Sequence, residues 1–240
     1  MVKQERAART REALVRAAAE VFAEQGFVTA SIAVISSRAG VSAGGLHFHF
    51  GSKTALAQAV EDQAAQALRR VTARGAGVLA GSGSRPVPGP GASGGGSALQ
   101  VLVDSTHALM ALLADDVVVR AGFGLCADAS WSGGVDLRRQ WRLWVEEAMA
   151  AAAREGSLAE GLSAQDAARG VVAATVGLEA LGADEPEWVA PHTLTRFWTL
   201  MLPRLAAGGV LGGLVPEGSA GSVGSVGGVA SAPDEGFGSD

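Results

Sequence analysis

The chain has 240 residues, 48% of them hydrophobic and 18% charged, with 34 glycines and a formal net charge of −5. That length and apolar content suit one small domain of about 70 residues plus a larger one, and exclude a fibrous or wholly disordered protein. No apolar run reaches the roughly 18 residues that span a bilayer, so no membrane contact is expected, and the charged opening MVKQERAARTR leads into an amphipathic helix instead of a signal-peptide core. A cytoplasmic protein is expected, in keeping with a single cysteine, Cys126, which reads as a small buried hydrophobe.

The negative total hides an uneven distribution. Residues 1–74 carry ten Lys and Arg against six Asp and Glu, a balance of +4, whereas the rest carries nine against eighteen, a balance of −9. The positive field therefore belongs to the N-terminal end, as in a nucleic-acid reader joined to a separate acidic domain.

A first helix is predicted over 5–25, where Leu14, Ala18, Val21 and Phe22 form an apolar stripe, with Gly26 as its stop and Phe27 closing a small core. The segment 31–53, SIAVISSRAGVSAGGLHFHFGSK, then reads as two short helices around a tight turn. Ile32 and Ile35 share one face of the first; Ala39-Gly40-Val41 makes the turn, with Gly40 at positive φ and Val41 as a wedge. Ser42 caps the second, which carries Leu46 and Phe50 at i, i+4. This is the pattern of a helix-turn-helix, whose second helix enters the major groove with its N-terminal residues, here Ser42, Ala43 and Gly44, facing base edges. Phe48 and Phe50 read as core.

Ser52 is expected to cap a connecting helix that runs to about residue 74 and acts as a lever. From 75 to 96 the sequence GAGVLAGSGSRPVPGPGASGGG is too rich in Gly, Pro and Ser to pack, which predicts a flexible surface loop. It lacks the GK[ST] ending of a phosphate-binding loop, and GSKT at 51–54 lacks the preceding strand, so no nucleotide cofactor is expected. Helical patterns recur over 97–113, 117–129, 135–155, 163–181 and 187–206, with Asp116 and Ser163 as caps, Gly156 and Gly182 as stops, and Pro203 kinking or loosening the last. The tail from 208 is low-complexity and expected to be disordered. The predicted fold class is all-α, divided into a helix-turn-helix domain at 1–51, a connecting helix at 52–74, a loop at 75–96, a ligand-binding and dimerisation domain at 97–207, and a tail at 208–240.

Several side chains suit contact with duplex DNA. Ser31 either caps its helix or reaches phosphate; His49 is placed to donate to phosphate and His47 to lie against sugar or base. Lys53 supplies positive potential, and Lys3, Arg6, Arg9 and Arg11 suit salt-screened phosphate or minor-groove contacts. The His47/His49 pair spans helix faces poorly for one metal, so no metal is expected. In the second domain Trp131, Trp141, Trp144, Trp188 and Trp198 read first as core. Thr175, on the apolar face VVAATVG, suits donation to a ligand carbonyl, and Gln63 on the connecting helix is a further ligand candidate. No GxSxG elbow, HExxH or paired Cys/His set appears, so an enzyme is not expected.

The first 70 residues resemble the N-terminal domain of the tetracycline-repressor (TetR) family, with ERAARTREALVRAAAEVFAEQGF as its first helix. KQERAARTR and FHFGSK, together with VVVRAGFGLCAD at 117–128, RRQWRLW ending at Trp144 and LMLPRLA at 200–206, resemble the γ-butyrolactone-receptor branch of that family. The resemblance implies a homodimer pairing its last two long helices across a two-fold axis, a palindromic double-stranded operator, and a small-molecule effector. It also implies a phosphate contact for Lys53 and a place for Trp144 over a lactone ring. Where relatives commonly read VTKGALYFHF this chain reads VSAGGLHFHF, putting Ala43, Gly45 and His47 in place of lysine, alanine and tyrosine. Relatives that use a threonine place it one residue earlier, at Ala174 here. The expected function is a ligand-released transcriptional repressor. Its alternatives are a pseudo-receptor answering to an antibiotic, butenolide or furan, and a ligand-binding or interaction protein that has lost DNA affinity.

Overall fold

A computed structural model describes residues 2–81 and 97–219. Among these residues the chain is built from helices: α1 (Val2–Thr29), α2 (Ile32–Arg38), α3 (Ala43–His49), α4 (Lys53–Gly81), α5 (Ala98–Asp115), α6 (Val117–Ala127), α7 (Leu137–Arg154), α8 (Ala164–Gly182), a 3-10 turn (Pro186–Val189), α9 (Pro191–Leu205) and α10 (Gly208–Leu211). The all-α expectation is met.

The helix starts follow the side chains that satisfy free amides. Ser31, Ser42, Ser97, Asp136 and Ser163 each accept an amide of the first turn that follows. Ser52 Oγ accepts the Ala55 amide at 3.1 Å, and Asp116 Oδ1 takes those of Val118 and Val119. Glycine supplies the left-handed backbone where the chain reverses: Gly26 (φ 74°) interrupts α1 before its last turn, and Gly40 (φ 65°) makes the turn between α2 and α3.

Two apolar cores form. Leu14, Val21 and Phe22 of α1, Ile35, Leu46, Phe50 and the α4 residues Leu56 and Val60 build the smaller one. The larger holds Leu68 of α4 with Leu102, Leu109, Phe123, Trp141, Val145, Leu194 and Trp198. α4 runs through both. α6 lies between them, turning Ala121 and Leu125 to the small core and Val119 and Phe123 to the large one. Gly122 is the point of closest approach, since a methyl there would come within 2.5 Å of Ala64 Cβ.

Four expectations need correction. α1 starts earlier, at Val2; its regular helix stops at Gly26 as expected, and a short helical turn to Thr29 follows the kink. The loop does not begin at residue 75: α4 continues to Gly81, because Gly75 lets its backbone pack on Val101, whose Cγ1 would lie 2.2 Å from a methyl there, and Leu79 is buried in the large core. The rest of that predicted loop, 82–96, lies outside the described residues. The helix expected from 187 begins at Pro191 after a 3-10 turn, and Pro203 falls in its last turn, where only one amide is forfeited. Finally, the first part of the predicted tail is folded. α10 is followed by turns that dock on α5, where Gln100 exchanges hydrogen bonds with Val215 (2.8 and 3.2 Å), His107 Nε2 lies 2.9 Å from Pro216 O, and the Ser219 amide donates to Asp104. Residues 220–240 lie outside the described residues.

Candidate DNA interface and effector site

α2 and α3 meet at Gly40, and the buried Ile35 and Leu46 pin both to α1 and α4. Ser31 Oγ accepts the Val34 amide and Ser42 Oγ the Gly45 amide, so each hydroxyl is first a helix cap. Gly45, where relatives carry alanine, is explained by its neighbours: a methyl would sit 2.8 Å from Val41 Cγ1 and 3.2 Å from Ser42 Oγ. At Gly44 nothing lies within 4 Å, and Ala43, Gly44, His47 and Phe48 make one exposed stripe along α3. Phe50 is core, but Phe48 is not; it is 84% exposed, with the His49 ring edge-on to it (5.2 Å, 86° between planes). The expectation that Phe48 is core fails because the alternation LHFHF does not distinguish the two phenylalanines, and the helical phase turns one of them outward.

Lys53, expected at a phosphate, is engaged within the protein. Its ammonium donates to Phe27 O (2.8 Å), Val28 O (2.9 Å) and Ala30 O (2.9 Å) and lies over the Phe27 ring at 4.7 Å. These bonds use all three ammonium donors to close the open carbonyls where α1 ends. Arg6 and Arg9 are exposed on α1, and Arg11, also exposed, stacks over Phe50 at 4.3 Å and so stands beside the end of α3. The Lys3 side chain lies outside the described residues.

In the larger core Trp144 sits on α7 with its ring on Trp141 (5.2 Å between centroids, 23° between planes), and its buried indole N–H has no hydrogen-bond partner among the described residues. The backbone of Gly75 on α4 passes close to the same ring. Thr175 is buried, but its hydroxyl accepts Trp141 Nε1–H at 2.9 Å and bonds to Val171 O at 2.9 Å, so it serves the tryptophan pair and is not free for a ligand carbonyl. Gln63 is exposed on the outer face of α4, which removes it from the interior. Arg138, from the same helix as the pair, makes a two-pronged contact with the nearly buried Glu179 (2.9 and 3.1 Å), tying α7 to α8; burial still holds the Glu179 carboxyl above its ordinary value. A cavity of about 160 Å³ opens beside Gly75 between α4 and α5, lined also by Arg74, Val101, Asp104 and Ser219. It is smaller than the few hundred Å³ of typical ligand pockets, and Trp144 does not line it.

A third cluster, missed from the sequence, joins the two regions. The turn after α6 clasps the end of α1: Asp128 accepts the Phe27 amide at 3.1 Å, and Trp131 packs on the Phe27 ring with 4.6 Å between centroids. Trp131 Nε1–H donates to Glu61 on α4 at 2.7 Å. Glu61 is 1% exposed and its other oxygen lacks a partner among the described residues. Burial raises its pKa above the ordinary value, partly offset by Trp131 and the Gly134 and Val135 amides. Glu61 was legible in principle, being an acid on the apolar stripe of α4 between Ala57 and Ala65. Nearby, Cys126 donates to Val135 O, and burial pushes its thiol up, away from reactive thiolate. Among the described residues no group of His, Cys, Asp and Glu is arranged to hold a metal, and no helix is long and apolar enough to cross a membrane.

Comparison with known proteins agrees with this layout. Residues 14–60 match the family "Bacterial regulatory proteins, tetR family". The A-factor receptor protein of Streptomyces griseus is 28% identical over 222 residues, covering 91% of this chain and 71% of that protein. Two solved structures share the fold: a γ-butyrolactone receptor (ArpA-like protein; 23% identity, 85% of this chain and 92% of the other, TM-score 0.68) and the TetR-family protein CprB of Streptomyces coelicolor in complex with its operator (24%, 86% and 93%, TM-score 0.67). These relatives are regulators and receptors, not enzymes.

Proposed function

We propose that this chain is a TetR-family repressor of the γ-butyrolactone-receptor kind, which holds a palindromic operator as a homodimer and releases it when a small, largely apolar effector such as a γ-butyrolactone lodges beside Trp144; the match of residues 14–60 to the TetR family and the 28% identity to the A-factor receptor protein support this reading. The observation that carries the DNA-binding part is the rigid α2–α3 pair: capped at both starts, turned at Gly40, and presenting an unpartnered stripe on the end of the chain whose charge balance is +4. A two-fold dimer would set two such helices about 34 Å apart, one in each of two successive major grooves. Leu181 on α8, Trp188 on the 3-10 turn and Leu200 on α9 are exposed large apolar side chains, which suits burial against a second copy. A repressor acts where its DNA is, which places it in the cytoplasm.

The effector part rests on the unpartnered Trp144 N–H. A buried donor without an acceptor carries a cost that a ligand carbonyl or ring oxygen removes, and the Trp141–Trp144 platform supplies an apolar face for the rest of the molecule. Seating a molecule there requires α4 to yield at Gly75, and α4 is the helix whose other end carries Lys53 and Glu61 beside the DNA-binding core. The motion changes the separation of the two reading helices. A nearly complete switch needs an effector that prefers the released form by about 5 kcal/mol.

Thr175 favours a second reading of the signal. Its hydroxyl is already engaged by Trp141, which suits a ligand other than a γ-butyrolactone and hence a pseudo-receptor answering to an antibiotic, butenolide or furan. Gel-shift titration on the DNA upstream of the protein's own gene, repeated with a lactone panel and with antibiotics, separates these readings. A salt-sensitive complex dissolved by a lactone is the expected result. Dissolution by an antibiotic alone supports the pseudo-receptor, and absence of any specific complex at micromolar protein overturns DNA binding.

A further inference from the structure

The stripe that α3 offers to a groove has an unusual chemistry. Ala43, Gly44, His47 and Phe48 lie within roughly 140° of helix circumference, and none is an Arg, Lys, Asn, Gln, Asp or Glu, the residues that read bases through hydrogen-bond pairs. Gly44 has open space around it, so the helix backbone can approach base edges closely, and an 84% exposed phenylalanine stands at the end of the same stripe. Exposing a phenyl ring to water costs free energy, and Phe48 bears it while neighbouring Phe50 is only 3% exposed. The edge-on His49 ring restricts how the Phe48 ring can turn.

Resting on the DNA-binding reading above, we propose that Phe48 is the specificity-determining residue of α3 and reads thymine by packing its ring on the C5-methyl group, with Ala43 making a lesser contact of the same kind. The thymine methyl is the one apolar feature of the major groove, so a stripe whose one hydrogen-bonding side chain is His47 discriminates chiefly through it. Operator half-sites therefore carry at least one thymine whose methyl, not its carbonyl, supports recognition.

The test replaces thymine by deoxyuridine, which removes the methyl and leaves base pairing intact. Duplexes selected by the full-length protein from a random pool are resynthesised with deoxyuridine at each half-site thymine in turn, and affinity is measured at fixed salt for wild type and Phe48→Ala. Burying one methyl corresponds to about a fourfold change, so the wild type is expected to lose on the order of tenfold when both half-sites are altered. Phe48→Ala should lose a similar factor on the thymine duplex and show no further loss with deoxyuridine. Equal binding of the wild type to thymine and deoxyuridine duplexes at every position overturns the inference, as does an undiminished deoxyuridine effect in Phe48→Ala. The wild-type arm stands even if the variant misfolds. Failure to enrich any duplex is a different result and overturns the DNA-binding reading itself.

Discussion

Trp141 lies against Trp144 with 5.2 Å between ring centroids, and the outer ring owes its position to the inner one. Trp141 is 1% exposed and locked by its bond to Thr175, which is itself anchored to Val171 O. The chain thus uses the threonine to aim a tryptophan. Thr175→Val leaves that indole N–H buried without an acceptor and is expected to cost about 1–3 kcal/mol of stability. Effector affinity should fall with it, while Thr175→Ser restores both; thermal melts and effector titration of the two variants check this. A variant that melts like the wild type but loses effector binding would show instead that Thr175 touches the ligand.

Trp144 separates into a ring and a donor. Trp144→Phe keeps an aromatic face on Trp141 but removes the unpartnered N–H, which no other described residue uses. If that donor meets an effector oxygen, Trp144→Phe raises the effector concentration needed for operator release by about tenfold, the equivalent of about 1.4 kcal/mol, and leaves operator affinity without effector unchanged. Parallel gel-shift titrations read both quantities. An unchanged release midpoint would assign the N–H no part in binding.

Lys53 closes the end of α1 through three carbonyls. Lys53→Met keeps the aliphatic stem but leaves those acceptors open, with an expected loss of roughly 1–3 kcal/mol in the stability of the DNA-binding end. Each phosphate contact contributes about one unit to the slope of log K against log salt, so a lysine committed to the protein changes melting without changing that slope. Calorimetry together with operator binding at several salt concentrations decides the matter. A slope reduced by one would return Lys53 to the phosphate.

Glu61 makes stability depend on pH. Its pKa is raised by burial, so the folded state keeps the proton to higher pH than the unfolded chain does. The contribution is full below the ordinary value of 4.5 and is lost as pH rises through the folded value. Glu61→Gln retains an acceptor for Trp131 and cannot titrate. Its melting temperature should therefore fall less steeply with pH just above 4.5 than that of the wild type. Melts across that window test the sign; identical slopes would mean that the carboxylate is solvated in the folded protein.

The sequence carried the elements whose causes are local. Serine and aspartate caps and the glycine turn at Gly40 announce themselves within three or four residues, and all lie where the pattern put them. What escaped depends on partners distant in the chain. Lys53 meets carbonyls 23 to 26 residues away, Trp131 meets Glu61 across 70 residues, and Trp141 meets Thr175 across 34. The glycine-rich stretch after residue 74 looked too flexible to fold, yet its first residues are held in α4, because close packing on Val101 needs a residue without a side chain. Phe48 differs from Phe50 only in helical phase, which turns its ring outward while Phe50 is buried.

Gly44 sets helix stability against close approach. It lies in the first turn of α3 with nothing within 4 Å of where a methyl would stand, so Gly44→Ala fits without a clash. The substitution should stabilise the free protein by up to about 1 kcal/mol, since glycine loses more backbone freedom on folding than alanine. If the α3 backbone passes close to base edges, the same methyl intrudes there, and operator affinity drops while the melting temperature rises. Opposite movement of the two quantities, measured on one preparation, is the expected outcome. A rise in both would mean that α3 docks with its Gly44 side turned away from the groove, which would also remove the surface on which Phe48 is argued to act.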